Sequence, residues 1–307
     1  MTTALVVGRR RRGRPIERAV DETARLLTEA GWTVEHAVVK RKRDLRRRVA
    51  KAVDASMDVV VAVGGDGAVL QAVQRLAGTK LALGVVPMGT GNLLATNLKI
   101  PRSLPEAVQV LITGRQRRID LGRLSVGSKK KWFSVACGIG FDAKVMDATP
   151  MRDKQRWGKL AYLMHAIRQS GGLRDVRHTI VLDGATTRMD AAQVLIANFG
   201  RTGVGVEPRL PIEPDDGALD VIALSAPRRS AGLVAVWEAL TQRAGNRRGG
   251  RVLRARAKTI EIRTPSKRLV EIDGSVIGAT PIAVSIEPAA LTVIVPAATA
   301  SPEAPSA

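Results

Sequence analysis

The 307-residue chain is 45% hydrophobic and 25% charged, ordinary proportions for a globular protein with real cores and long enough for two domains. Its 49 Lys and Arg against 28 Asp and Glu leave a net charge of +21. That surplus points to an anionic partner, nucleic acid or an acidic membrane surface, or else to a well-solvated basic surface with no dedicated partner. Cys137 is the only cysteine, which excludes an intrachain disulfide and suits a reducing cytoplasm. The opening MTTALVVGRRRRGRP puts its apolar run before its charges, the reverse of a secretory signal. No apolar run approaches the roughly 20 residues of a membrane-spanning helix, so any membrane contact is expected to be peripheral.

From residue 1 to about 118 the pattern alternates strand and helix. Strands are expected at 4–7 and 32–39, and helices at 16–30 and at 44–56, the second strongly basic. Val59 to Val63 and Leu81 to Val86 are continuous apolar runs, as strands buried on both faces of a parallel sheet are. A glycine-rich turn and a helix-like stretch follow each, and Pro105 helps to start a further helix over 103–113. This alternation predicts a doubly wound parallel α/β domain.

Beyond Gly114 the texture changes to short alternating runs at 119–126, 132–136, 178–183, 187–197, 219–224, 259–263, 269–272 and 282–286. Asp183-Gly184 and Asp273-Gly274 read as hairpin turns. Helical interruptions are expected at 152–170 and 231–243. The expectation is a second, antiparallel β-rich domain over 119–295, with a strand near 291–296 packing back on the first domain and a disordered tail over 296–307. The active site then lies in the cleft between the two domains.

Two motifs carry the chemistry. Gly64-Gly65-Asp66-Gly67 is good turn chemistry by itself, but it opens a helix whose first N–H groups and dipole suit phosphate. A bare carboxylate repels phosphate, so Asp66 either faces a magnesium ion that bridges phosphate oxygens or orders the turn around them. The second turn, Pro87-Met88-Gly89-Thr90-Gly91-Asn92, brings backbone close to a ligand and offers Thr90 and Asn92 as short polar groups. Asn92 serves equally as a helix N-cap.

The pair GGDG and PMGTGN resembles the catalytic domain of the diacylglycerol kinase-like lipid kinases. GIGFDA at 138–143, EPDDGALDV at 213–221 and EIDG at 271–274 follow in the right order, so the likeness spans most of the chain. NAD kinases share GGDG but follow it with a different segment that is absent here. The resemblance implies ATP as phosphate donor, held by Gly64, Gly65, Asp66, Gly67, Gly89, Thr90, Gly91 and Asn92. It implies Mg2+ held by the Asp216 side chain and the carbonyls of Glu213 and Ala218, where a polar turn is the simpler reading of the residues alone. It implies Asp273 as general base toward a lipid alcohol, diacylglycerol by default, although Asp-Gly is also the commonest hairpin dipeptide. A homodimer is common in the family.

The chain departs from the family pattern at several places. Gly8-Arg9-Arg10-Arg11-Arg12-Gly13 replaces the usual Asn-Pro turn, and a nucleotide-contacting threonine is replaced around Val39-Lys40. Ala68 stands for a threonine, Leu70 and Gln71 for an Asn-Glu pair, and Ser275 for an acid. These motivate a second reading, a non-catalytic member that binds nucleotide or lipid as a regulator.

Basic clusters at 9–12, 40–48, 129–131 and 247–258 suit an anionic membrane, each residue near it adding roughly 1 kcal/mol. With 3% aromatics and no RNA-binding signature, nucleic acid is the weaker partner. Trp157, Tyr162, Leu163 and Met164 with Lys154, Arg156 and Lys159 suit either an acyl-pocket mouth or simple core packing. The chain therefore reads as a cytoplasmic, peripherally membrane-associated, ATP- and Mg2+-dependent lipid kinase.

Overall fold

The computed structural model describes residues 1–13, 15–140, 175–200, 212–225 and 252–297. The helices expected at 152–170 and 231–243, the aromatic cluster around Trp157 and the end of the tail lie outside these residues.

The first half winds β1 (Thr3–Arg9), α1 (Ile16–Glu29), β2 (Thr33–Val39), α2 (Lys42–Asp54), β3 (Val59–Gly64), α3 (Asp66–Leu76), β4 (Ala82–Pro87), α4 (Leu93–Asn97) and α5 (Leu104–Thr113). The strands lie parallel in the order β2-β1-β3-β4. Every residue of β3 and β4 is buried, as their unbroken apolar runs require. Helix α1 buries Ile16, Ala19, Val20, Ala24 and Leu27, a stripe at helical spacing. Gly8 lets that stripe approach: a Cβ there would meet Ile16 and Val20 methyl carbons at 2.6 and 2.7 Å.

The second half contains β5 (Arg115–Val126), β6 (Lys129–Phe133), β7 (Ala136–Ile139), β8 (Val176–Leu182), β9 (Ala185–Ala191), β10 (Gln193–Ala197), β11 (Leu219–Leu224), β12 (Val252–Ala257), β13 (Thr259–Arg263), β14 (Leu269–Ile272), β15 (Ser275–Ala279) and β16 (Ile282–Val295). An antiparallel six-stranded sheet runs β12-β11-β10-β7-β14-β15. The remaining strands extend the parallel sheet to ten, in the order β2-β1-β3-β4-β16-β13-β8-β9, with β5 on β16 and β6 on β5. The protein is thus a parallel α/β unit joined to an antiparallel β-rich one.

Strand β16 makes the joint. Its first residues pair antiparallel with β13, while Thr292 and Val293 pair parallel with Ala82 and Leu83 of β4. Sequence periodicity suggests two short strands here, because Glu287 to Ala290 breaks the alternation. The structure instead carries one strand across a bulge between Glu287 and Leu291, with Ala289 at φ 50°. Similarly, the run 187–197 is not one strand. It breaks at Ala192, sending β9 to the larger sheet and β10 to the smaller.

Asp120 of β5 holds the bulge in place. Its buried carboxylate accepts hydrogen bonds from the Ala289 N–H (2.7 Å) and the Gly217 N–H (2.8 Å), and its own N–H donates to the Pro214 carbonyl. Arg118 reaches the Ala289 carbonyl from the same strand. No sequence motif marks Asp120. Asp120→Asn keeps the shape but turns an NH2 toward one of those donors, and is expected to cost about 2 kcal/mol of unfolding free energy. Denaturant melts that match wild type would remove Asp120 from this role.

Two apolar clusters form, and they interlock. Leu70 of α3 packs with the β-rich cluster, while Val135, Ala136 and Phe199, with the half-buried Leu195, pack with the α/β cluster. Gln74 of α3 also bonds both backbone groups of Trp132 on β6, at 2.6 and 3.1 Å.

Candidate functional site

In a parallel sheet the strand ends that open into helices line up on one edge. Here that edge gathers the end of β1, the turn after β3 and the turn after β4. The two glycine turns touch. The Met88 N–H donates to the Gly64 carbonyl at 2.9 Å, and a Cβ on Gly65 would stand 2.8 Å from the Gly89 Cα. A Cβ on Gly89 would stand 2.5 Å from the Gly65 Cα, and one on Gly91 2.5 Å from an Asp66 oxygen. Glycine is required at Gly65 and Gly89 because the facing backbone fills the space a side chain would take, and at Gly91 because the Asp66 carboxylate does.

Asp66 locks the turns together. Its carboxylate accepts from the Asn92 N–H (3.1 Å) and the Leu93 N–H (2.5 Å), and so caps α4 from a different loop. Asn92, in the left-handed region at φ 51°, occupies the N-cap position without capping: its amide bonds the Gly89 N–H and carbonyl instead, at 2.8 and 3.0 Å. Of the two roles open to Asp66 from the sequence, ordering the turn is the one this geometry displays. Gly67 lies in the first turn of α3, and Thr90 is exposed at the tip of the second loop.

The arginine loop after β1 is partly spoken for, since Arg10 pairs with Glu17 of α1. The departing residues of α3 are structural. Ala68 packs so close to Gly64 that a Cβ on that glycine would lie 2.9 Å away, Leu70 is buried in the β-rich cluster and Gln71 is buried beside it.

Asp273 follows β14 at φ 44°, and Gly274 continues at φ 76°, as a tight hairpin demands. Its buried carboxylate accepts four hydrogen bonds. Oδ2 takes the Ser134 N–H (2.8 Å) and hydroxyl (2.9 Å), and Oδ1 takes the N–H groups of Val135 (2.9 Å) and Ala136 (3.0 Å). Burial pushes this carboxyl above the ordinary carboxylate range, while its four donors pull against that. Two more buried residues serve the same turn, and no motif announced them. Ser134 is one. The other is Asn198, whose amide donates to the Asp120 and Ser134 carbonyls at 2.8 and 2.9 Å.

The residues expected to hold magnesium sit elsewhere, before β11. Asp216 accepts from the Ala218 N–H at 3.1 Å and is ion-paired with Arg256, which also lies 3.9 Å from Asp220. Glu213 and Asp215 both face Arg117, the latter at 2.8 Å. As arranged, these groups do not fit a magnesium ion, because the one side-chain ligand already has a cation on it. Among the described residues no group of three His, Cys, Asp or Glu is placed to hold a metal. Chelation by EDTA is therefore expected to leave the melting temperature unchanged, and a fall on chelation would show a structural metal.

Cys137 is buried, and its thiol is pushed up, first by that burial and then by Glu271 and Asp273. The basic residues also converge. Lys131 of β6 is shifted down by burial and by the nearby charges of Arg46, Lys129 and Arg75, so α2, α3 and β6 share a cationic surface. No helix among the described residues is long and apolar enough to cross a membrane.

Comparison with known proteins accounts for this assembly. A model of the diacylglycerol kinase catalytic domain matches residues 4–124, and one of the YegS C-terminal NAD kinase beta sandwich-like domain matches residues 135–295. The chain is 32% identical over 277 residues to a protein named diacylglycerol kinase from Mycobacterium tuberculosis, covering 88% of this chain and 87% of that one. It is 28% identical over 273 residues to a protein named as a YegS-like lipid kinase from Cronobacter sakazakii, covering 88% of each. Two crystal structures from Bacillus anthracis share the fold. One, titled as a diacylglycerol kinase, has a TM-score of 0.73 at 19% identity over 96% of each chain. The other reaches 0.81 at 22% identity over 97% of this chain and 98% of that one. With both halves matched in order and a relative above 30% identity along most of its length, the chain belongs to the diacylglycerol kinase and YegS-like lipid kinase family.

Proposed function

We propose that this protein transfers the γ-phosphoryl group of ATP to the hydroxyl of a lipid alcohol, diacylglycerol being the first candidate and phosphatidic acid its product. The observation that carries the reading is the pair of touching glycine turns, pinned by Asp66 at the carboxyl edge of the parallel sheet. Such an edge, where glycine turns open into helices, suits polyphosphate. ATP enters as its magnesium complex, which neutralises part of the phosphate charge. The residues of this chain bind the phosphates, fix the acceptor hydroxyl and shed its proton to a carboxylate at the tip of β14.

The cationic surface of Arg46, Arg75, Lys129 and Lys131 supports docking on an anionic bilayer, at the cytoplasmic membrane face. A homodimer belongs to the same proposal, and light scattering checks it. The second reading, a nucleotide-binding regulator without turnover, is favoured by one observation: Leu70, in place of a polar family residue, is committed to the apolar contact between the two halves.

The test is transfer of labelled phosphate from ATP to a panel of lipid alcohols in anionic mixed micelles with Mg2+. Label in one lipid establishes the activity and names the substrate. ATP binding with no label in any lipid favours the regulator.

A further inference from the structure

We propose that the donor site continues past the glycine turns into a cationic edge that holds a linear polyphosphate, so that inorganic polyphosphate serves as a phosphoryl donor alongside ATP. This rests on the kinase reading above and extends it on the donor side.

Strand register places the cations. Gly64 of β3 pairs with Pro87 of β4, Gly8 of β1 with Val63 of β3, and Arg9 of β1 with Val39 of β2. The four strands therefore end at one level, and Arg9 stands beside the first glycine turn. The Arg10 N–H donates to the Val39 carbonyl at 2.8 Å, which holds the loop after β1 against the loop after β2. Neighbouring strands lie about 4.8 Å apart, so the loop after β2 stands about 10 Å from the turn after β3.

Positive charge fills that distance. Residues 9–12 are four arginines, and residues 40–43 alternate Lys and Arg. Arg10 is paired with Glu17, and Arg43 lies 3.7 Å from Asp44. The other six cations have no ion pair among the described residues. Arg41, Lys42 and Arg43 also open α2, where the helix dipole disfavours a cation. Like charges this close repel one another, a cost that two ion pairs do not offset and that a bound polyanion removes.

The edge makes no matching provision for a base. Residues 9–13, 40–43, 64–67 and 87–92 include no aromatic side chain on which one could stack. Guanidinium groups instead pair two-pronged with phosphate oxygens. Past the glycine turns the recognised chemistry is phosphate after phosphate, and nothing requires a nucleoside to end the chain. A bilayer is the weaker occupant of this edge, because its cations share a strand-end level with the glycine turns.

The step balances with either donor. The acceptor oxygen forms its bond to the terminal phosphorus, and its proton passes to the carboxylate at the tip of β14. The bond from that phosphorus to the bridging oxygen breaks, and the electron pair leaves on a chain one phosphate shorter.

The test is the micelle assay above, run with labelled inorganic polyphosphate in place of ATP. Label is expected in the same lipid that ATP labels, with unlabelled ATP acting as a competitor. Arg12→Ser combined with Lys40→Ser should raise the KM for polyphosphate about tenfold, and that for ATP far less. Arg188→Ser combined with Lys267→Ser removes equal charge from two exposed sites of the β-rich half, and should leave both KM values unchanged. Equal losses in the two pairs would show attraction by net charge alone and overturn the inference. Weaker binding of Arg12→Ser with Lys40→Ser to anionic vesicles, at an unchanged polyphosphate KM, would assign the edge to the bilayer and overturn it too. A lipid labelled from ATP but never from polyphosphate would overturn the inference and leave the kinase reading standing. No label from either donor, in protein that binds ATP, would overturn both.

Discussion

Asp273→Ala is expected to lose about 4 kcal/mol of stability and all measurable phosphoryl transfer. Three backbone N–H groups and the Ser134 hydroxyl point at the buried Asp273 carboxylate. A buried donor left unpaired costs about 1–3 kcal/mol, and charge-assisted bonds are the stronger kind. The Ser134 hydroxyl can rotate to another partner and the turn can relax, so the sum falls short of four full penalties. The damage also spreads. Val135 and Ala136 belong to the apolar cluster of the α/β half, and Asn198 is bonded to the Ser134 carbonyl. Loosening the turn therefore loosens the contact between the two halves. Denaturant titration with an unchanged slope would give the free energy directly. Ser134→Ala removes one of the four bonds and should cost only about 1 kcal/mol. An Asp273→Ala protein as stable as wild type would remove Asp273 from this structural role.

Asp66→Ala is expected to weaken ATP binding by about 100-fold and to cost about 3 kcal/mol of stability. The two N–H groups that Asp66 accepts lie at the start of α4, where a negative charge also meets the positive end of the helix dipole. Without that carboxylate the loop 87–92 is no longer tied to the loop 64–67, and the backbone N–H groups meant for phosphate are no longer preorganised. A loss of about 1.4 kcal/mol in fixing the loops corresponds to tenfold in affinity, so two such bonds account for the expected effect. Asp66→Asn keeps one acceptor oxygen and should fall between. Isothermal titration with ATP, run alongside thermal melts, checks both quantities. If Asp66→Ala melts lower yet binds ATP as wild type does, the lock is structural only.

Much of this architecture is legible in the chain itself. The unbroken apolar runs at Val59–Val63 and Leu81–Val86 demand strands covered on both faces, and the structure buries every residue of β3 and β4. The stripe on α1, the glycine turns after β3 and β4 and the hairpins at Asp183-Gly184 and Asp273-Gly274 are local features. They follow from side-chain period and from backbone angles that glycine, or a residue such as aspartate, adopts. These determine the fold class and point to the edge where phosphate would bind.

What only tertiary structure decides is which partner each polar side chain meets. Asp66 reads as a phosphate-site or metal-site acid until Asn92 and Leu93 are placed beside it, 26 and 27 residues on. Asp273 reads as a free base until a turn 137 to 139 residues earlier saturates it, and Asp216 reads as a metal ligand until Arg256 arrives from β12. Asp120 carries no signal at all in a single sequence, because an isolated acid on a strand looks solvated. Local conformation depends on neighbours a few residues apart and is encoded in composition and period. Hydrogen-bond saturation, burial and proton affinity depend on contacts across a hundred residues or more, and the folded chain alone supplies those.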